Sequence, residues 1–185
     1  LSCVVEGVRL MEEAFHAGWQ TQTVFFAANL SQRGRELLDQ YNARQISIEE
    51  ISLPIMQKLT DTETSQGILA VFDLPAYNLP ENFDFALICD NIRDPGNLGT
   101  LLRTAAAAGT QAVFLTPGTT DPYAPKVLRA GMGAHFKLPI FKWEWDDIQL
   151  ACKQQIQPLS IYMAAADAAL NCWQADLKKP CAILV

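Results

Sequence analysis

The chain has 185 residues, half of them hydrophobic, which supports one large domain or two small ones around a packed core. Its formal charge of −6 argues against a surface coated for nonspecific nucleic-acid binding. No uninterrupted apolar run approaches the ~20 residues that cross a bilayer, so no membrane partner is expected. The N-terminus lacks the basic flank and apolar stretch of a signal peptide, and the start at Leu1 rather than Met suggests a trimmed or excised piece. Cys3, Cys89, Cys152, Cys172 and Cys181 are widely spaced and form no CxxC pair. Neither a metal site nor a disulfide framework is expected, and buried free thiols fit a reducing compartment, the cytoplasm or an organelle matrix.

In chain order, Glu6 to Ala17 reads as a helix ended by Gly18, and Thr23 to Ala28 as a strand. Ser31 caps a helix running to about Tyr41, followed by a short strand at Ile46 to Ile48. A helix is expected over Glu49 to Leu59, with its start or a kink near Pro54. Ile68 to Phe72 is an apolar strand. The next dozen residues carry Pro75, Pro80 and two Asn without periodicity. This linker signature divides the chain into residues 1–73, a linker at 74–84, and 85–185.

Phe85 to Cys89 and Ala112 to Leu115 are strand candidates on either side of Asp90-Asn91-Ile92-Arg93-Asp94-Pro95-Gly96-Asn97-Leu98-Gly99 and a helical run that stops at Gly109. This strand–loop–helix–strand order predicts a parallel pair and an α/β class. Its polar turn lies at the carboxyl edge of the sheet, where open α/β sheets place ligands. Asn97 is read as the helix cap, with Arg103 nearly two turns along. Further on, Asp121-Pro122 opens a helix to about Ala130, broken by Gly131-Met132-Gly133. Lys137 to Phe141 is a strand, Asp146 to Gln155 a helix, Leu159 to Met163 a strand, and Cys181 to Val185 a final buried strand. Between Asn91 and Lys142 six basic residues stand against two acidic ones, so this segment is +4 and the rest −10. A local basic face on an acidic body suits an anionic ligand, and a chance distribution is the equal alternative.

The segment from Asp90 to Gly109 resembles the first signature motif of the SpoU (TrmH-like) family of RNA ribose 2′-O-methyltransferases in the SPOUT superfamily, at Asp94-Pro95, Asn97, Gly99, Arg103 and Gly109. Similarity continues through Lys126 to Phe136 and Leu138-Pro139. Val5 to Leu10 and Gln66 to Ala70 resemble the family's small N-terminal substrate-binding domain, related to a ribosomal-protein RNA-binding fold. The resemblance implies S-adenosylmethionine as cofactor, RNA as substrate with ribosomal RNA favoured over transfer RNA, and a homodimer. The family's second and third motifs, which build its knot and most of its cofactor pocket, would follow a strand like Cys181 to Val185. The knot portion is therefore expected to be missing from this sequence, and the 185 residues alone to be inactive. A noncatalytic RNA-binding or ribosome-assembly protein on the same scaffold is the alternative.

By the resemblance, Arg103 and Asn97 are the catalytic candidates. A guanidinium is hard to deprotonate, so Arg103 is expected to grip a phosphate and stabilise alkoxide charge rather than act as a base. The plain alternative is a helix arginine paired with Asp90 or Asp94. Asn97 either caps the helix or touches substrate. Arg93, Arg129 and Arg9 are substrate-binding candidates; Arg93 and Arg129 are equally readable as surface charges, Arg9 shares with Arg33 and Arg35 a domain that carries many acids, and Lys126 is weaker. Ala164, opening the run Ala164-Ala165-Ala166, either lines an adenine pocket or begins a helix. His16 is expected on a helix surface, His135 against the sheet, and Trp143 and Trp145 in packing as strand or loop residues.

Overall fold

A computed structural model describes every residue except Asp61 and Glu63. The elements run β1 (Ser2–Glu6), α1 (Val8–His16), β2 (Thr21–Phe26), α2 (Gln32–Ala43), β3 (Ser47–Glu50), α3 (Leu53–Leu59), β4 (Ile68–Asp73) and β5 (Phe85–Cys89). They continue as α4 (Pro95–Ala108), β6 (Ala112–Leu115), α5 (Pro125–Gly131), β7 (Ile140–Lys142), α6 (Trp145–Lys153), β8 (Ser160–Met163) and β9 (Cys181–Leu184). Two sheets result. The first has the order β1-β4-β2-β3, with β4 antiparallel to both its neighbours. The second has the order β7-β6-β5-β9-β8 and is parallel throughout.

Strands buried on both faces read as unbroken apolar runs, and β5 and β6 are such strands. Alternation splits β5 between two cores. Leu87 and Cys89 meet Leu98, Leu102 and Ala105 of α4, while Ala86 and Ile88 meet Ile148, Ala151 and Cys152 of α6. Helix α4 ends where Gly109 turns left-handed at φ 77 and Thr110 N donates to Ala105 O at 3.0 Å. The strand order runs outward from β5 through β6 to β7, then resumes on the other side at β8. The loop after β5 thus sits centrally at the carboxyl edge.

The core of the first sheet reaches into the second lobe. Trp19, Phe72 and Cys3 pack with Leu128 of α5, Phe136 and Tyr123. The Trp19 and Phe136 rings meet edge to face, with centroids 4.8 Å apart. Arg129 faces Glu6 at 3.8 Å and Lys137 faces Glu13 at 3.7 Å across the same seam.

Several expectations are corrected. Strand β1 was not expected; it pairs antiparallel with β4 and takes Glu6 out of the first helix. Gly7 turns at φ 93, and Val8 N donates to Gln66 Oε1 at 2.9 Å, so a distant side chain caps α1. Glu49 and Glu50 extend β3 beside Phe25 and Phe26 rather than opening a helix. Helix α3 begins at Leu53, where Pro54 fits the first turn. Asp121 holds Tyr123 N in a turn at 3.3 Å, and Pro125, not Pro122, opens α5. A 3₁₀ turn at Ala134–Phe136 shortens the next strand to Ile140–Lys142. Trp145 lies in the first turn of α6, and Ala164 to Ala166 open no helix. Cys172 is exposed while the other four cysteines are buried, all of them free.

Candidate functional site

The loop after β5 is anchored at both ends. Asp90 N donates to Val185 O at 2.9 Å, tying the loop to the end of β9. At the other end, Asp94 is the cap of α4: its Oδ1 accepts Asn97 N at 2.7 Å, with Pro95 in the first turn. This corrects the expected role of Asn97. The cap is Asp94, and the Asn97 side chain is exposed with no hydrogen bond among the described residues.

Between these anchors the loop is laced to the one that follows β6. Thr116 Oγ1 donates to Asp90 Oδ1 at 2.5 Å and accepts Asn91 N at 3.2 Å. Ile92 N donates to Thr119 Oγ1 at 3.3 Å, and Thr120 N to Ile92 O at 2.9 Å. The sequence reading missed these partners; the Thr-Pro-Gly-Thr turn leaving β6 at the same sheet edge was the available signal.

Helix α4 lies directly on α5. A Cβ on Gly99 would come within 2.4 Å of Ala130 Cβ and 2.8 Å of Val127 O, so glycine permits the close backbone approach. One turn beyond Gly99, Arg103 is exposed and has no ion pair or hydrogen bond among the described residues. Among the described residues neither Asp90 nor Asp94 pairs with it; Asp90 accepts from Thr116 and Asp94 from Asn97 N.

The other basic candidates divide. Arg93 is exposed, and its Nε donates to Asn91 Oδ1 at 3.2 Å. Arg9 and Arg129 line one cavity of about 300 Å³ at the seam between lobes, with Glu6, Gln66 and Met132. Arg33 is ion-paired with Glu12, whereas Arg35 Nε donates to Leu30 O at 3.4 Å and has no ion pair among the described residues. Lys126 is exposed. Ala164 lies elsewhere, in a cavity of about 470 Å³ at the ends of β8 and β9 with Met163, Ala165, Leu170, Asn171 and Ile183. No charged side chain lines that cavity.

His135 is fully buried with neither ring nitrogen hydrogen-bonded among the described residues, and desolvation lowers its pKa to about 4, outweighing the upward pull of Pro122 and Asp121. His16 is exposed at the end of α1. Trp143 packs 5.2 Å from Phe141 and 5.4 Å from Phe114. Among the described residues, no three His, Cys, Asp or Glu side chains could hold a metal ion, and no helix is long and apolar enough to cross a membrane.

A parallel five-stranded sheet with exposed amide and guanidinium groups in the loop and helix that follow its central strand, beside a small mixed-sheet lobe, defines a two-lobed α/β protein. The chain belongs to the SpoU rRNA Methylase family, whose model matches residues 84–185, and residues 2–70 match the MRM3-like substrate binding domain. It is 41% identical over 154 residues to the mitochondrial rRNA methyltransferase 3 of Xenopus laevis, covering 77% of this chain and 36% of that one. It thus spans about a third of the length of such relatives. The SpoU methyltransferase AviRb of Streptomyces viridochromogenes, solved with AdoMet, superposes with a TM-score of 0.84 at 26% identity, over 98% of this chain and 72% of that one. A solved RNA 2′-O ribose methyltransferase gives 0.80 at 28% identity, over 100% and 70%.

Proposed function

We propose that the protein transfers a methyl group from S-adenosylmethionine to a ribose 2′-hydroxyl of ribosomal RNA. Residues 1–73 serve as the substrate RNA-binding domain, 74–84 as the linker and 85–185 as the methyltransferase domain. The observation that carries this reading is the exposed Arg103 on α4, which has no ion pair or hydrogen bond among the described residues. Family membership, the rRNA methyltransferase designation of the Xenopus relative and the AdoMet in AviRb support the substrate class and the cofactor.

S-adenosylmethionine, when bound, supplies an electrophilic methyl, so the chain must orient the hydroxyl and ease departure of its proton. The Arg103 guanidinium grips the phosphate beside the acceptor and stabilises the charge that develops on oxygen. The free Asn97 amide supplies a donor and an acceptor to the same nucleotide. Arg93, Arg129 and Arg9 hold phosphates further along the strand. The uncharged, alanine-rich wall beside Ala164 and Ala165 suits a flat adenine ring. The working state is a homodimer. The mitochondrial designation of the Xenopus relative supports an organelle matrix over the cytoplasm.

The test is methyl transfer from labelled S-adenosylmethionine to ribosomal RNA by the intact protein and its Arg103→Ala variant. The variant is expected to lose about 10²- to 10³-fold in turnover while still binding cofactor. Equal turnover removes Arg103 from the reaction. RNA binding without any transfer by the unaltered protein points instead to the assembly role.

A further inference from the structure

We propose that Asn91 is a positioning residue that aims Arg93 at a phosphate of bound RNA, in a space that Gly118 keeps open. The inference rests on the reading of Arg93 as a phosphate contact. Asn91 sits in the left-handed region at φ 53, where Asn is among the few side chains that are readily accommodated. Its backbone is pinned from the neighbouring loop by Thr116 Oγ1, and the next residue is pinned by Thr119 Oγ1 and Thr120 N. A backbone so held sends the amide in one direction. Its Oδ1 meets Arg93 Nε at 3.2 Å on one side, and on the other a Cβ at Gly118 would stand 2.6 Å from it.

The bond to Nε sets the plane of the guanidinium. Among the described residues, Arg93 Nη1 and Nη2 have no hydrogen bond or ion pair. The end of the fork is therefore presented outward, and that edge accepts two oxygens of one phosphate. An exposed arginine without this tether loses rotamer freedom when it binds; with the tether, part of that ordering is already done. The loop thus has two arms. One holds the Arg93 fork, and the other starts the helix bearing Asn97 and Arg103.

Asn91→Gly is the informative substitution, because glycine keeps the positive φ without strain and deletes only the amide. Affinity is measured with a labelled single-stranded RNA of mixed sequence across a salt series. Arg93→Ala is expected to weaken binding and reduce the salt slope by about 0.7, the signature of one lost phosphate contact. Asn91→Gly is expected to weaken binding about three- to tenfold, as one modest hydrogen bond would. In the Arg93→Ala background it is expected to have no further effect, and its melting temperature to match that of the unaltered protein. An equal loss in both backgrounds overturns the proposal, as does unaltered affinity for Asn91→Gly beside a weakened Arg93→Ala. If Arg93→Ala itself leaves affinity and slope unchanged, the phosphate reading fails first and this inference falls with it.

Discussion

The Asp94 carboxylate accepts the backbone N–H of Asn97 at 2.7 Å, and that bond frees the Asn97 side chain for other work. Two residues compatible with a helix cap stand three positions apart in the motif, and only one is used. The other is left facing solvent on the first turn of α4.

Asp94→Ala removes the cap and is expected to lower stability by about 1 kcal/mol in urea denaturation, with Asp94→Asn retaining most of it. Methyl transfer should fall more than stability does, because the start of α4 carries Asn97. A variant as active as the unaltered protein would detach the cap from the chemistry.

Gly99→Ala drives a methyl group into Ala130 and the Val127 carbonyl, at 2.4 and 2.8 Å. Both obstacles are close to backbone, so α4 and α5 must separate. A loss of about 1–3 kcal/mol is expected in the same denaturation experiment. A neutral result would show that the helices slide apart freely.

His135 gives the fold a pH dependence of definite sign. Buried neutral, it takes up a proton near pH 4 when folded and near 6.5 when unfolded. Between those values the unfolded chain binds more protons, so stability falls as pH drops through this window and is complete above it. The span amounts to about 3 kcal/mol. Stability measured from pH 4 to 7 should show this slope, and His135→Phe should flatten it. An unchanged slope in that variant would assign the dependence to other groups.

Arg9 and Arg129 share the seam cavity, so Arg9→Ala and Arg129→Ala are each expected to weaken RNA binding and lower the salt slope by about 0.7. Arg129→Ala has a second effect, since it leaves Glu6 without its cross-lobe partner. If both variants keep the full slope, RNA does not run through the seam.

The parts of this fold that were legible in the sequence are those where one local signal had no rival. Phe85 to Cys89, Gly109 and Ala112 to Leu115 form such a series, and the parallel pair β5–β6 follows from it. The failures come where two signals competed or where the partner was distant. Asn97 lost the cap to Asp94, and Pro122 lost the helix start to Pro125. Glu49 and Glu50 looked helical by type, but an edge strand open to solvent tolerates them. Strand β1 is defined by its pairing with β4, almost seventy residues away, and Gln66 caps α1 from a similar distance. In the site, residue types were visible, but the lacing of Thr116 and Thr119 onto the motif loop required the strands to be side by side.

The wedge of Trp19 against Phe136 also bears on how the proposed RNA ligand would meet the two lobes. Prising the lobes apart at this joint would expose aromatic surface to water, so the contact opposes hinge opening there. Under the proposed function, the adjustment needed to reach both lobes then falls on the RNA, and unpaired stretches are expected to bind more tightly than stiff duplex.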